Sequence, residues 1–390
     1  MLHVLYLVHD VSDPAVRRRI IMLRAGGARV TLAGFRRTVN PVSDVEGLRP
    51  IDLGATRDGR FGQRMAAVAK AAVSIGSKLA TMSRPDLIIA RNLEMLALAR
   101  RARSAFQATV PIVYECLDIH RLVLRDDFLG KALRGTERYL ARDVKLLVTS
   151  SPAFIANYFK PFGQIAAPVE LLENKYFEAS AVLADDFASA EDAVAPPWRI
   201  GWFGALRCRR SLELLAEFSR RLEGRFEIIL RGRPALSEFP DFHAFVESEP
   251  WLSFRGPYRN PEDMAAIYRE VHFSWAIDFF EDGQNSQWLL PNRLYEGCRF
   301  GAVPISMGDT ETGRFLKQQD IGVLLSEATP DALETLLGKM DEHRFGMLKA
   351  RVLARNPRTW SHDRNDCRAL VDKLRGLAAT PEPLVAEALA

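Results

Sequence analysis

Short apolar runs alternate along the chain with longer stretches in which apolar residues recur every three or four positions. In the first half, residues 4–8, 29–33, 87–90, 112–115 and 145–149 read as buried strands. Between the first two, 13–25 reads as a helix, with Pro14 in its first turn and Gly26-Gly27 at its end. The same grammar restarts later, with strands at 199–203, 226–230, 252–254, 273–277 and 303–306. There, 204–210 reads as a loop, and Ser211 as the N-cap of a helix carrying Leu212, Leu215 and Leu222 on one face. Residues 334–352 and 363–377 also have helical patterning. Strands alternating with helices predict parallel sheets covered on both faces. The fold class is therefore α/β, with two Rossmann-like doubly wound domains facing a cleft. We place them at 1–178 and 198–358, joined by a linker at 179–197 that ends in Pro196-Pro197. Residues 359–390 hold a terminal helix and a tail that frays over 380–390. Ligands of such sheets sit in the crevice outside the carboxyl ends of the strands.

Composition agrees with two soluble domains: 390 residues, 48% hydrophobic and 26% charged. The opening MLHVLYLVHD lacks the pattern of a signal peptide, and no window is apolar enough to predict a transmembrane helix. Cys116, Cys208, Cys298 and Cys367 are scattered, which predicts neither a disulfide framework nor structural zinc, and a cytoplasmic setting. Charge is uneven: residues 1–160 carry +12 and the remainder −8. Within the basic half, 60–84 patterns as an amphipathic helix. Met65, Val68, Ala72, Ile75 and Leu79 lie on one face, and Arg60, Arg64, Lys70, Lys78 and Arg84 are interspersed. That pattern is expected either of an ordinary domain helix or of one lying on an anionic membrane surface. No basic–aromatic stripe suggests nucleic acid as a partner.

The chemistry concentrates around residues 291–305. Pro291 starts a helix after a polar loop, and a helix start offers unpaired amides and positive potential suited to phosphate. Asn292 and Arg293 sit at that start. Glu296, on the same helix, is placed to accept hydrogen bonds from the vicinal hydroxyls of a ribose. Upstream, the stretch 204–210 follows a strand with a glycine and a basic cluster, Arg207, Arg209 and Arg210.

These segments resemble the donor site of family 4-type glycosyltransferases with the GT-B architecture. Pro291-Asn292-Arg293-Leu294-Tyr295-Glu296, followed by Gly301-Ala302-Val303-Pro304-Ile305, is similar to the family signature. The resemblance implies that Glu296 holds the ribose and that Arg293 lies near the diphosphate. It implies that Gly204 admits the donor to the backbone and that Arg210 grips the diphosphate. The family often has an arginine directly after that glycine. Here the position is Ala205, and Arg207 or Arg209 is expected to substitute. Leu252 to Gly256, which includes Arg255, resembles the segment that packs on the donor base. The acid usually found eight positions before the ribose glutamate is replaced by Trp288.

In the first domain, Asp13 opens the helix after the first strand, and Arg91-Asn92 end a Pro-Asp-strand segment. Tyr114-Glu115-Cys116-Leu117-Asp118 resembles a Tyr-Asp-x-His-Glu strand end. The resemblance puts Asp13, Arg91, Asn92 and Glu115 on the acceptor side. An inverting reaction needs a base there, with Asp118 as the first candidate and His120 as the alternative. No Asp-x-Asp pair is present, so no metal cofactor is expected. The implied reaction moves a sugar from a nucleotide-sugar, UDP-linked by family frequency, to a saccharide acceptor carried on a polyprenyl diphosphate. Surface-glycan assembly at the inner face of the bacterial membrane is the implied setting. Two alternatives are an enzyme of the nucleotide-sugar 2-epimerase type and a non-catalytic nucleotide-sugar-binding subunit.

Overall fold

The computed structural model describes residues 1–57, 61–106, 109–178 and 195–379. Arg60, most of the expected linker (179–194) and the tail 380–390 lie outside the described residues. The chain forms two compact units. One holds Met1–Ser150, Phe154–Leu172 and the chain from Asp363 onward, and the other Ser151–Ala153 and Glu173–His362.

The strands are β1 (His3–Val8), β2 (Arg29–Arg36), β3 (Ile51–Ala55), β4 (Leu87–Arg91), β5 (Ile112–Cys116), β6 (Val144–Thr149), β7 (Val169–Leu171) and β8 (Tyr176–Phe177). They continue with β9 (Trp198–Leu206), β10 (Phe226–Pro234), β11 (Leu252–Phe254), β12 (Phe273–Trp275), β13 (Val303–Met307), β14 (Val323–Leu325) and β15 (Ser361–His362). The first unit is a parallel sheet in the order β3-β2-β1-β4-β5-β6-β7, and the second one in the order β11-β10-β9-β12-β13-β14. Both orders reverse direction beside their first strand. The topological switch points are therefore the ends of β1 and β4 in one unit and of β9 and β12 in the other.

The first unit gives up the chain at Leu172 rather than at the expected 178. The reason is local pairing: β8 joins β15, with Tyr176 opposite Ser361. Glu173 accepts the Tyr295 hydroxyl at 2.9 Å, and Glu178 is ion-paired to Arg299. The terminal helix, Arg364–Ala379, belongs to the first unit and packs on the Pro14–Ala25 helix. The approach is so close that a Cβ on Gly26 would stand 2.2 Å from the Cys367 carbonyl oxygen.

The Phe61–Leu79 helix uses its apolar stripe as an ordinary core face. Val68, Ile75 and Leu79 are buried, Arg64 pairs with Glu94 at 2.9 Å, and Lys78 donates to the Asp52 carbonyl. Of the two readings of this stripe, the structure matches the ordinary domain helix: Val68, Ile75 and Leu79 face the core, as helices flanking a parallel sheet must, while Met65 is 42% exposed. All four cysteines are buried free thiols. No described helix is long and apolar enough to cross a membrane.

Candidate active site

In the second unit, a pair of glycines stands in lateral register near the ends of β9 and β10. Gly204 lies opposite Gly232 on β10. Both have positive φ, +113° and +129°, and a Cβ on Gly232 would fall 1.9 Å from the Gly204 carbonyl oxygen. Glycine is required at 232, where a side chain has no room, and is favoured at 204 by its positive φ. The chain then enters the Arg209–Arg221 helix, capped by the Cys208 sulfur. The helix thus starts two residues before Ser211. Ser211 is buried inside the first turn, where its hydroxyl accepts the Trp275 indole N–H at 3.1 Å. Arg209 and Arg210 consequently sit on a helix turn and not in a loop.

Across the switch point, the segment after β12 meets these arginines. Arg207 pairs with Asp278 at 3.1 Å and lies over the Phe280 ring. Arg210 pairs with Asp282 at 3.0 Å and lies over the Phe279 ring. Arg209 instead pairs with Glu213 on its own helix. Burial raises the Asp278 carboxyl, but Arg207 and then Arg293 outweigh it and hold the pKa below the usual carboxylate value.

The helix carrying the signature runs from Asn292 to Arg299, with Pro291 as its N-cap. It lies close on β12 because Gly297 faces Ser274, where a Cβ would meet the serine Cβ at 2.8 Å. Arg293 donates to the Ile277 carbonyl at 2.6 Å, and its Nε is buried without a partner. Glu296 is 3% exposed and is gripped at both oxygens, by Asn260 Nδ2 at 2.8 Å and the Tyr268 hydroxyl at 3.3 Å. Burial first, and Glu296 second, push the Tyr258 phenol above its ordinary pKa. The structure therefore brings Gly204, Arg207, Arg210, Arg293 and Glu296 to one switch point. The Arg255 side chain shares Glu270 with Arg231 at the same strand ends. The backbone continues the strand end, with Gly256 accepting the Gly232 N–H at 2.9 Å. Trp288 ends a short helix, Asn285–Trp288, and the acids paired with Arg207 and Arg210 are Asp278 and Asp282.

At the first unit's switch point, three of the four acceptor-side residues share one buried ion network, and the fourth borders it. Asp13 caps the Pro14–Ala25 helix through Ala15 N at 2.8 Å and accepts Arg91 Nη2 at 3.1 Å. Arg91 also reaches Glu115 at 3.3 Å, and Glu115 takes Arg19 Nε at 2.6 Å and the Tyr6 hydroxyl. Asn92, with a positive φ of 72°, places its amide 3.3 Å from His9, whose other ring nitrogen is 3.9 Å from Asp13. Burial raises both carboxyls, but the arginines dominate and keep Asp13 and Glu115 below their usual values. Glu115 is 1% exposed and saturated with donors, so it anchors the strand ends and does not face an acceptor, contrary to its sequence assignment.

Asp118 is exposed just beyond β5. His120 caps the Arg121–Leu124 turn, its Nδ1 accepting Leu122 N at 3.3 Å, and burial, then Arg64, lower its pKa. The sequence reading missed Asn260, Tyr268, Tyr6, Arg19 and His9. None belongs to a spaced motif, and only the tertiary pairing identifies them. Among the described residues, no three His, Cys, Asp or Glu side chains group as metal ligands.

No protein-family model matches the chain. The chain is similar to the succinoglycan biosynthesis protein ExoL of Rhizobium meliloti, with 58% identity over 393 residues, spanning 100% of this chain and 98% of that protein. Among solved structures it resembles sucrose-phosphate synthase from Thermosynechococcus elongatus, with a TM-score of 0.72 at 13% identity over 97% of this chain and 100% of that one. It also resembles HepE of Anabaena in complex with UDP and glucose, with a TM-score of 0.67 at 14% identity over 96% and 100%. At such identity these two likenesses speak for the fold.

Proposed function

The chain belongs to the family of the succinoglycan biosynthesis protein ExoL and has the fold of the GT-B glycosyltransferases, and from that premise we propose that it moves a hexosyl group from a UDP-sugar to a saccharide acceptor in bacterial exopolysaccharide assembly. One observation carries the reading: a buried carboxylate and three guanidiniums converge at the β9/β12 switch point. The UDP bound in the HepE structure supports uridine as the nucleoside.

Asn260 and Tyr268 hold one oxygen of Glu296 each, and a carboxylate oxygen can accept more than one hydrogen bond, which suits a ribose hydroxyl. Asn260 and Tyr268 fix the carboxylate before the donor arrives. Arg207 and Arg210 are held in place by Asp278 and Asp282. The Arg210–Asp282 pair is about half exposed on both sides. Such a pair is worth about 0–1 kcal/mol, so exchanging the carboxylate for a diphosphate costs little. The first-turn amides of the Arg209–Arg221 helix add positive potential. These groups neutralise the departing diphosphate in our reading, with no metal cofactor. Loss of activity on chelation, with recovery on adding Mg2+ or Mn2+, would overturn that part. Asp118, exposed at its strand end, is the group assigned to take the acceptor proton.

The acceptor is proposed to be a polyprenyl-diphosphate-linked saccharide reached from the inner leaflet. The surface that supports membrane contact is the Phe128–Ala141 helix, not the Phe61–Leu79 helix. Phe128 is 87% and Tyr139 57% exposed on one ridge, with Lys131, Arg138 and Arg142 exposed alongside. Aromatic and basic side chains together suit an anionic lipid interface.

The deciding experiment is a calorimetric titration with UDP, wild type beside Glu296→Ala. Losing charge-assisted bonds to the ribose weakens binding by ~1.5–3 kcal/mol, about tenfold or more. Equal binding by both proteins would remove the donor site from this helix.

A further inference from the structure

We infer that Arg233 is a diphosphate-binding residue supplying the cation that position 205 lacks; this rests on the donor-site reading above. Arg233 is the register partner of Ala205, one residue beyond the Gly232–Gly204 pair. In-register neighbours in a parallel sheet project to the same face, and the strands lie about 4.8 Å apart. The face is identified by residues just upstream. Phe203 on β9 and Ile229 on β10 both pack against Met264, Ile267 and Tyr268. That is the side on which Tyr268 holds Glu296.

Ala205 and Arg233 are both exposed. The methyl of Ala205 leaves the strand end open, and an arginine side chain is longer than the strand separation it must cross. The other arginines of this rim are committed. Arg207, Arg209 and Arg210 pair with Asp278, Glu213 and Asp282, Arg231 and Arg255 share Glu270, and Arg293 is tied to the Ile277 carbonyl. Arg233 stands at the same rim with no carboxylate in ion-pair range among the described residues. Asp278 and Asp282 offset part of the charge of Arg207 and Arg210, so a diphosphate gains most from a cation that is not already neutralised. A guanidinium suits it by bidentate geometry.

The test titrates UDP and uridine into wild type, Arg233→Ala and the exchange variant Arg233→Ala/Ala205→Arg. The expected result is a loss of about tenfold or more for UDP in R233A, with uridine unchanged. Moving the arginine to position 205 should recover UDP binding to within about threefold of wild type, a difference below ~0.7 kcal/mol. Should R233A unfold, Arg233→Gln, which keeps the stem, is read by the same criteria. If R233A binds UDP like wild type while Glu296→Ala loses it, the inference falls and the donor site stands. If neither variant loses UDP, both fall. An equal loss of UDP and uridine in R233A, or no recovery in the exchange variant, also overturns a diphosphate contact.

Discussion

Glu115→Gln tests the ion network at the first switch point most directly. The native carboxylate is 1% exposed and accepts Arg19 Nε at 2.6 Å, Arg91 Nη1 at 3.3 Å and the Tyr6 hydroxyl. Glutamine keeps the shape, but one acceptor oxygen becomes a donor facing donors, and the negative charge is lost. Among the described residues, Arg91 then keeps its ion pair with Asp13, 23% exposed in its side chain, while Arg19 loses the carboxylate it is paired with. Removing one partner of a buried pair typically costs about 3–5 kcal/mol, a large share of the ~5–15 kcal/mol that holds a domain together. The assay is urea unfolding followed separately for the two units, since a two-unit chain need not unfold in one step. We expect the transition of the unit bearing β1–β7 to move to lower urea by about 1–2 M, and the other to stay in place.

The pH dependence has a definite sign. The folded Glu115 pKa is lowered, so its stabilisation is complete above the unfolded value near ~4.3 and fades as pH falls through the folded value. The gap between wild type and mutant should therefore be full at neutral pH and narrow in acid. A shift under about 0.5 kcal/mol at pH 7, or a gap that widens in acid, would refute a net stabilising network.

Three further outcomes are expected. Gly232→Ala places a Cβ 1.9 Å from the Gly204 carbonyl oxygen at a φ of +129°. It should destabilise the second unit by more than ~1–3 kcal/mol in thermal unfolding and weaken UDP in calorimetry. Asp118→Asn should lower kcat by about a hundredfold or more at unchanged UDP affinity, whereas His120→Ala should lower only stability, by ~0.5–2 kcal/mol as a lost cap. Phe128→Asp/Tyr139→Asp should abolish sedimentation with anionic vesicles and leave soluble-acceptor turnover intact. Equal wild-type sedimentation with neutral and anionic vesicles would remove the electrostatic part of membrane contact.

Two parallel sheets, their strand positions and the signature helix were legible from sequence because apolar period and turn residues are local properties. Arg293 and Glu296 stood out because they lie at a helix start, and the resemblance to the family signature added their roles and that of Gly204. The helix after β9 could not be placed to the residue, because its cap is a cysteine sulfur, a weak signal beside Ser211. Side-chain partners were beyond sequence altogether. Arg255 reads as a donor ligand from sequence, which could not show that it also pairs with Glu270, and Glu115 read as an acceptor contact until Tyr6, Arg19 and Arg91 enclosed it. The amphipathic stripe of the Phe61–Leu79 helix could equally have met lipid or a sheet. Only packing decided that it faces the core, while the Phe128–Ala141 helix keeps its aromatic ridge exposed. Local pattern fixes which residues can form an element and which atoms it can offer. Which of those atoms remain available to a ligand depends on partners distant in sequence, and that is set only when the sheets assemble.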